Sequence, residues 1–147
     1  MNVDLRFLMP SHPRFLSVVR AAVGELGSVY GLTEQESCRI TLAVDEAVAN
    51  IIRHAYHGDS KRTFEVTCRA SDDRLEFTLL DQGDPPDLSR IQGQPLDDKS
   101  LGGRGTHLIR MIMDEVIYER VPAGNQLRLS KRLPPIRNAT EGQGMNK

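Results

Sequence analysis

The chain has little that would mark it for a membrane, a secretory route or a charged polymer. Its 147 residues carry 19 Lys and Arg against 20 Asp and Glu, a formal charge of −1, so no net field favours nucleic acid or an anionic bilayer. No stretch nears the roughly 20 apolar residues that span a bilayer. The start, Met1-Asn2-Val3-Asp4-Leu5-Arg6, has neither the basic lead nor the apolar run of a signal peptide. Cys38 and Cys68 are the only cysteines and have no C-x-x-C spacing, so neither a disulfide framework nor a thiolate metal site is expected. Both lie in apolar patterns and read as reduced core residues of a cytoplasmic protein, in which the sequon Asn138-Ala139-Thr140 has no consequence. Also missing are the G-K-[ST] ending of a Walker A loop, a strand-borne G-x-G-x-x-G, a G-x-S-x-G elbow and any internal repeat.

What remains is an ordinary globular composition, 39% hydrophobic and 27% charged, enough for one domain over residues 1–133. Residues 134–147 carry no apolar periodicity and are expected to be a disordered tail. An edge strand is expected at residues 5–8, stopped by Met9-Pro10. Phe15, Val18, Val19, Ala22, Val23 and Leu26 follow helical spacing. Thr33-Glu34-Gln35-Glu36 is a capping box, so a second helix is expected from Glu34 to about Tyr56. With Cys38, Ile40, Leu42, Val44, Val48, Ile51 and Ile52 around its circumference, that helix reads as buried.

From Thr63 the period changes to two. Phe64, Val66 and Cys68, then Leu75, Phe77 and Leu79, describe a hairpin around Ser71-Asp72-Asp73 with one buried face. Residues 84–101 are long, carry Pro and Asp, lack periodicity and are flanked by glycines, which is the pattern of a lid. A helix over residues 105–114 and strands at 115–121 and 126–133 complete the chain. The fold class expected is α+β, a two-layer α/β sandwich of helices on one face of a mostly antiparallel mixed sheet.

Three stretches carry chemistry. Glu46, Asn50 and His54 stand at i, i+4 and i+8 of the long helix and share one stripe. An acid and an amide on a buried helix need partners. Asn50 offers a neutral oxygen suited to Mg²⁺, and Glu46 is placed to orient or deprotonate a hydroxyl; the plainer alternative is a solvated polar edge. Asp81 ends an apolar strand before the Gly83 turn, where an acid can accept from an exocyclic amine such as adenine's, unless it is a simple turn residue. Gly102-Gly103-Arg104-Gly105 opens a helix, so backbone N–H groups can approach phosphate, with Arg104 and Lys99 adding charge; otherwise the glycines are a hinge. His54 and His57 make an H-x-x-H spacing, but no third strong ligand is near in sequence, so helix-end packing is favoured over a metal site.

Together these stretches resemble the Bergerat-fold (GHKL) ATPases shared by gyrase, Hsp90, histidine kinases and MutL. More narrowly, the chain is similar to the small stand-alone anti-sigma-factor serine/threonine kinases of the RsbW/SpoIIAB type. The likeness covers about residues 33–133 and is carried by residues 42–56, by Gly102-Gly103-Arg104-Gly105 and by Met113-Asp114-Glu115-Val116. The resemblance implies ATP and Mg²⁺ as cofactors, with Asn50 as metal ligand and Glu46 as catalytic base. It implies Asp81 at the adenine amino group, Gly83 shaping the base pocket, and Gly103, Gly105 and Thr106 at the lid and phosphate-binding helix. It further implies a homodimer that phosphorylates an anti-anti-sigma partner of the STAS fold and holds a sigma factor, with no direct role for nucleic acid or membrane. Three positions depart from the family pattern. Pro85 replaces the second glycine of D-x-G-x-G, Thr106 stands where a small apolar residue is common, and Gly124-Asn125 stands where Thr enters the last strand. Asn125 retains hydrogen-bonding capacity near the base. The rival expectations are an ATP/ADP-switched binding module without kinase activity and a detached catalytic domain of a histidine-kinase pathway.

Overall fold

Two helices leave the sheet and return to the same end of it, and this sets the direction of the second strand against the first. In the computed structural model, which describes residues 1–87 and 104–135, β1 (Val3–Pro10) runs into a 3₁₀ turn (Pro13–Phe15) and helix α1 (Leu16–Val29). Helix α2 (Glu34–Asn50), the π-helical turn Ile51–Ala55 and β2 (Thr63–Ala70) follow. Pro10 pairs with Thr63 and Ser11 N–H donates to the Arg62 carbonyl at 2.8 Å, so the helical hairpin closes where it opened. β2 is therefore antiparallel to β1. Strands β3 (Arg74–Asp81), β4 (Glu115–Val121) and β5 (Gly124–Arg132), with helix α3 (Arg104–Ile112), complete the domain. The sheet order is β1-β2-β3-β5-β4. All four pairings are antiparallel, so among the described residues the sheet is wholly antiparallel rather than mixed.

The α+β sandwich expected from the sequence is the fold found, and its core lies where the periodicities meet. Val19, Val23 and Leu26 of α1, Ile40, Ala43, Val44, Ala47 and Val48 of α2, and Ile109 and Ile112 of α3 are buried. They cover Phe64, Val66, Cys68, Leu75, Phe77, Leu79, Leu127 and Leu129 of the sheet. The opposite sheet face carries exposed or half-buried charge, with Arg69 within 3.4 Å of Asp4 and 3.9 Å of Glu76. α1 is tied to α2 by Arg20, whose Nε and Nη2 donate to the two Asp45 carboxylate oxygens at 2.8 and 3.0 Å. The capping box forms as expected: Thr33 N–H donates to Glu36 at 2.8 Å and Glu36 N–H to Thr33 Oγ1 at 3.2 Å. The Thr33 backbone bond is the first cause holding the Glu36 carboxyl below its usual range.

Several local expectations are corrected. β1 is longer than residues 5–8, because Pro10 lies on an edge strand where a missing N–H is tolerated. α2 is not buried all round. Cys38 and Leu42 face outward, Leu42 being 47% exposed, because the sheet covers only one side of the helix. Phe15, Val18 and Met111 are likewise exposed. The α-helix stops at Asn50 and continues as a wider turn in which Tyr56 N–H reaches back five residues to the Ile51 carbonyl at 2.9 Å. Residues 88–103 and 136–147, which include most of the expected lid and tail, lie outside the described residues.

The wide turn is pinned by Tyr56, which is 3% exposed. Its hydroxyl donates to the Thr63 carbonyl at 2.6 Å and accepts from Gln82 N–H at 2.9 Å. The Arg62 guanidinium lies 4.3 Å over the ring and donates to the Gln82 carbonyl at 2.7 Å. Tyr56→Phe removes both hydroxyl bonds and should lower stability by about 1–3 kcal/mol, read as a shifted urea midpoint at unchanged slope. The two thiols should also differ. Burial pushes the Cys68 thiol up to about 11, while Cys38 is exposed. A thiol reagent at neutral pH should add one mass tag at Cys38 in native protein and a second only after unfolding.

Candidate functional site

The site is built where the ends of α2, β3, β5 and α3 converge. β3 alternates in phase with the core: Leu75, Phe77 and Leu79 point inward and are each 0% exposed. Asp81 is the next residue in that phase, so the strand carries a carboxylate to the core's edge, where it is 7% exposed. Its register partner is Asn125 on β5, 6% exposed. Asp81 Oδ1 accepts from Asn125 Nδ2 at 2.9 Å and from Gly83 N–H at 2.9 Å. Asn125 Nδ2 also donates to the Gly83 carbonyl at 3.0 Å, and its Oδ1 accepts from Arg120 Nη1 at 2.8 Å. Nearby on β4, burial pushes the Tyr118 phenol up, with Arg110 opposing that shift and Asp81 adding to it.

The loop leaving Asp81 rests on the wide turn of α2. A Cβ on Gly83 would overlap the Ala55 backbone carbonyl, so glycine is needed there for close approach. Asp84 N–H donates to that same carbonyl at 3.0 Å, and His57 Nε2 lies 2.6 Å from Asp84 Oδ2. The glycine turn is therefore fastened from both sides, by β5 and by the end of α2.

Glu46 and Asn50 are half-buried one turn apart, as their spacing implies. Arg53 Nη2 reaches back to Glu46 Oε1 at 3.2 Å. The Asn50 side chain has no hydrogen-bond partner among the described residues, leaving its amide oxygen available. His54 leaves the stripe: it sits in the π-helical turn, where the wider winding shifts its phase, and it is exposed. α3 meets Glu46 directly, since a Cβ on Gly105 would fall 2.7 Å from Cγ and Cδ of Glu46. The acid is thus set against the first turn of α3, whose N–H groups form an anion-attracting end. Thr106, half-buried, shares that turn. At the other end Lys131 Nζ donates to the Ile112 carbonyl at 2.9 Å, capping α3.

The structure thus brings together Glu46, Asn50, Gly105 and Thr106 on one side and Asp81, Gly83 and Asn125 on the other. Lys99, Gly102 and Gly103 lie outside the described residues, as does the Arg104 side chain. Spacing alone did not single out Tyr56, Arg62 or Arg120 for the site. Arg120 becomes visible only through its register opposite Asn125. No group of three or more His, Cys, Asp or Glu suited to a metal occurs among the described residues. No described helix is long and apolar enough to cross a membrane.

A buried acceptor at the core's edge, an unpartnered amide oxygen and an acid against a helix N-terminus fit a nucleotide better than a hydrolase triad or a histidine metal site. The comparisons with known proteins agree. The family model of the histidine kinase-like ATPase domain matches residues 9–131. The chain is 32% identical over 124 residues to the serine-protein kinase RsbW of Bacillus velezensis, with 78% of each chain covered. It is 30% identical over 124 residues to RsbW of Bacillus subtilis, again covering 78% of each. Its fold is similar to that in the crystal structure of the RsbU and RsbW domains of a Mycobacterium tuberculosis protein, with a TM-score of 0.65 at 18% identity. That match covers 90% of this chain and 34% of the other, so the chain spans about a third of its length. On sequence, the chain belongs to the histidine kinase-like ATPase domain family and, within it, to the family of the RsbW serine-protein kinases.

Proposed function

We propose that the protein is an ATP- and Mg²⁺-dependent protein serine/threonine kinase that acts as an anti-sigma regulatory factor. The observation that supports this most directly is the placement of the Glu46 carboxylate against Gly105 at the start of α3, one turn from the free Asn50 amide. MgATP, when bound, supplies the phosphoryl group and the charge neutralisation that in-line transfer requires. Asn50 offers its oxygen to the metal, and Mg²⁺ takes few protein ligands beside phosphates and water. The first-turn N–H groups at Gly105 and Thr106 attract phosphate oxygens, and Arg104 at the start of α3, with Lys99 and Gly103 before it in the chain, extends that binding. Asp81 accepts the adenine amino group, with Gly83 and Asn125 shaping its surroundings.

Glu46 orients the acceptor hydroxyl and takes its proton. Arg53 holds the carboxylate at 3.2 Å until an acceptor approaches. Family membership and the relatives' names favour serine over histidine as the phosphoacceptor. The acceptor is an anti-anti-sigma protein of the STAS fold and the sequestered partner a sigma factor. The working unit is a cytoplasmic homodimer of a single domain, residues 1–133.

Calorimetric titration with ATP and ADP, with and without Mg²⁺, checks the pocket first. Wild type should bind ATP in a Mg²⁺-sensitive manner, and Asn50→Ala should lose the Mg²⁺ dependence while melting at the wild-type temperature. Glu46→Gln should keep nucleotide affinity and lower phosphotransfer to a STAS-fold acceptor by about 10²–10⁴-fold, with acid-stable phosphoserine as the wild-type product. Acid-labile phosphate on the acceptor would instead assign the histidine pathway.

A further inference from the structure

Asp81 has two carboxylate oxygens, and the protein uses only one of them. Oδ1 accepts from Asn125 Nδ2 and from Gly83 N–H, each at 2.9 Å, which fills its two lone-pair sites. Among the described residues no group donates to Oδ2. Asn125 is fully committed as well. Its amide protons go to Asp81 Oδ1 and to the Gly83 carbonyl at 3.0 Å, so it has no donor left for a base.

Arg120 decides which way the amide faces. A guanidinium only donates, so the Asn125 atom it meets at 2.8 Å is the carbonyl oxygen, and the NH₂ is turned toward Asp81. Arg120 itself is exposed and opposite Asn125 in the β4–β5 register.

The two purine bases differ in what they ask of a carboxylate. Adenine presents one exocyclic amine and is served by one acceptor oxygen. Guanine presents N1–H and the 2-amino group side by side and is held by a carboxylate when both oxygens accept. We infer that Asn125, oriented by Arg120, sets the base specificity of the pocket by occupying Asp81 Oδ1 and leaving a single acceptor. This excludes the paired donors of guanine while serving the adenine amine. Asn125 and Arg120 are positioning residues acting through Asp81, and the inference rests on the adenine reading of Asp81 given above.

ADP and GDP are titrated calorimetrically into the full chain for wild type, Arg120→Ala, Arg120→Lys and Asn125→Ala, with thermal melting run alongside. Wild type should prefer ADP to GDP by roughly a hundredfold or more. Asn125→Ala should reduce the ratio by about tenfold or more, with GDP affinity rising as well as ADP affinity falling. Arg120→Ala, at an exposed position, should move the ratio in the same direction without lowering the melting temperature, and Arg120→Lys should restore part of it. A purely structural role would weaken both nucleotides alike and leave the ratio fixed, which overturns the inference while the adenine reading stands. An unchanged ratio in Arg120→Ala alone overturns the part given to Arg120. Wild type that binds neither nucleotide, or binds both equally, overturns the adenine reading and this inference with it.

Discussion

A carboxylate at the end of a core strand is the constraint around which this end of the molecule is arranged. Removing an ion from water costs several kcal/mol, whereas a hydrogen bond to a charged group returns about 1.5–3 kcal/mol. The two donors on Asp81 Oδ1 therefore offset much of the burial and leave demand at the second oxygen. Each donor in turn fixes something else. Gly83 N–H can reach Oδ1 only if the chain turns immediately after β3. Asn125 can reach it only if β5 lies directly beside β3 with Asp81 and Asn125 in register.

The end of α2 answers the same constraint from the other side. A regular helix would leave the Ala55 carbonyl to the usual intrahelical ladder. The wider turn offers it to Asp84 N–H instead, and Gly83 packs flat against it. Tyr56 and Arg62 then hold the N–H and the carbonyl of Gln82. The helix that carries Glu46 and Asn50 is thereby fastened to the loop that carries Asp81. These contacts among the described residues join the two halves of the candidate site.

Much of this was legible in the sequence because it rests on period and capping. The alternation of Phe64, Val66 and Cys68, and of Leu75, Phe77 and Leu79, located the buried sheet face. The Thr33–Glu36 box located the start of α2, and the i, i+4 spacing placed Glu46 beside Asn50. What period cannot reveal is how far a helix is covered, so Cys38 and Leu42 were assigned to a core they do not join. Nor does local propensity report a π-helical turn, which here goes with the docking of a distant loop on the Ala55 carbonyl. Arg120 was illegible for the same reason: its role comes from strand register across a turn, and an isolated exposed arginine carries no sign of it. Most of the expected lid, with Lys99 and Gly103, lies outside the described residues.

The outward turn of Cys38 has a practical side. The chain bears one accessible thiol and no second accessible one to compete with it, and that thiol rides on the same rigid helix as Glu46 and Asn50, two to three turns away. A fluorophore or spin label attached there requires no prior engineering of a cysteine-free background. It would report from the stripe of α2 that also carries Glu46 and Asn50, and so offers an optical or magnetic vantage point on partner docking beside the site.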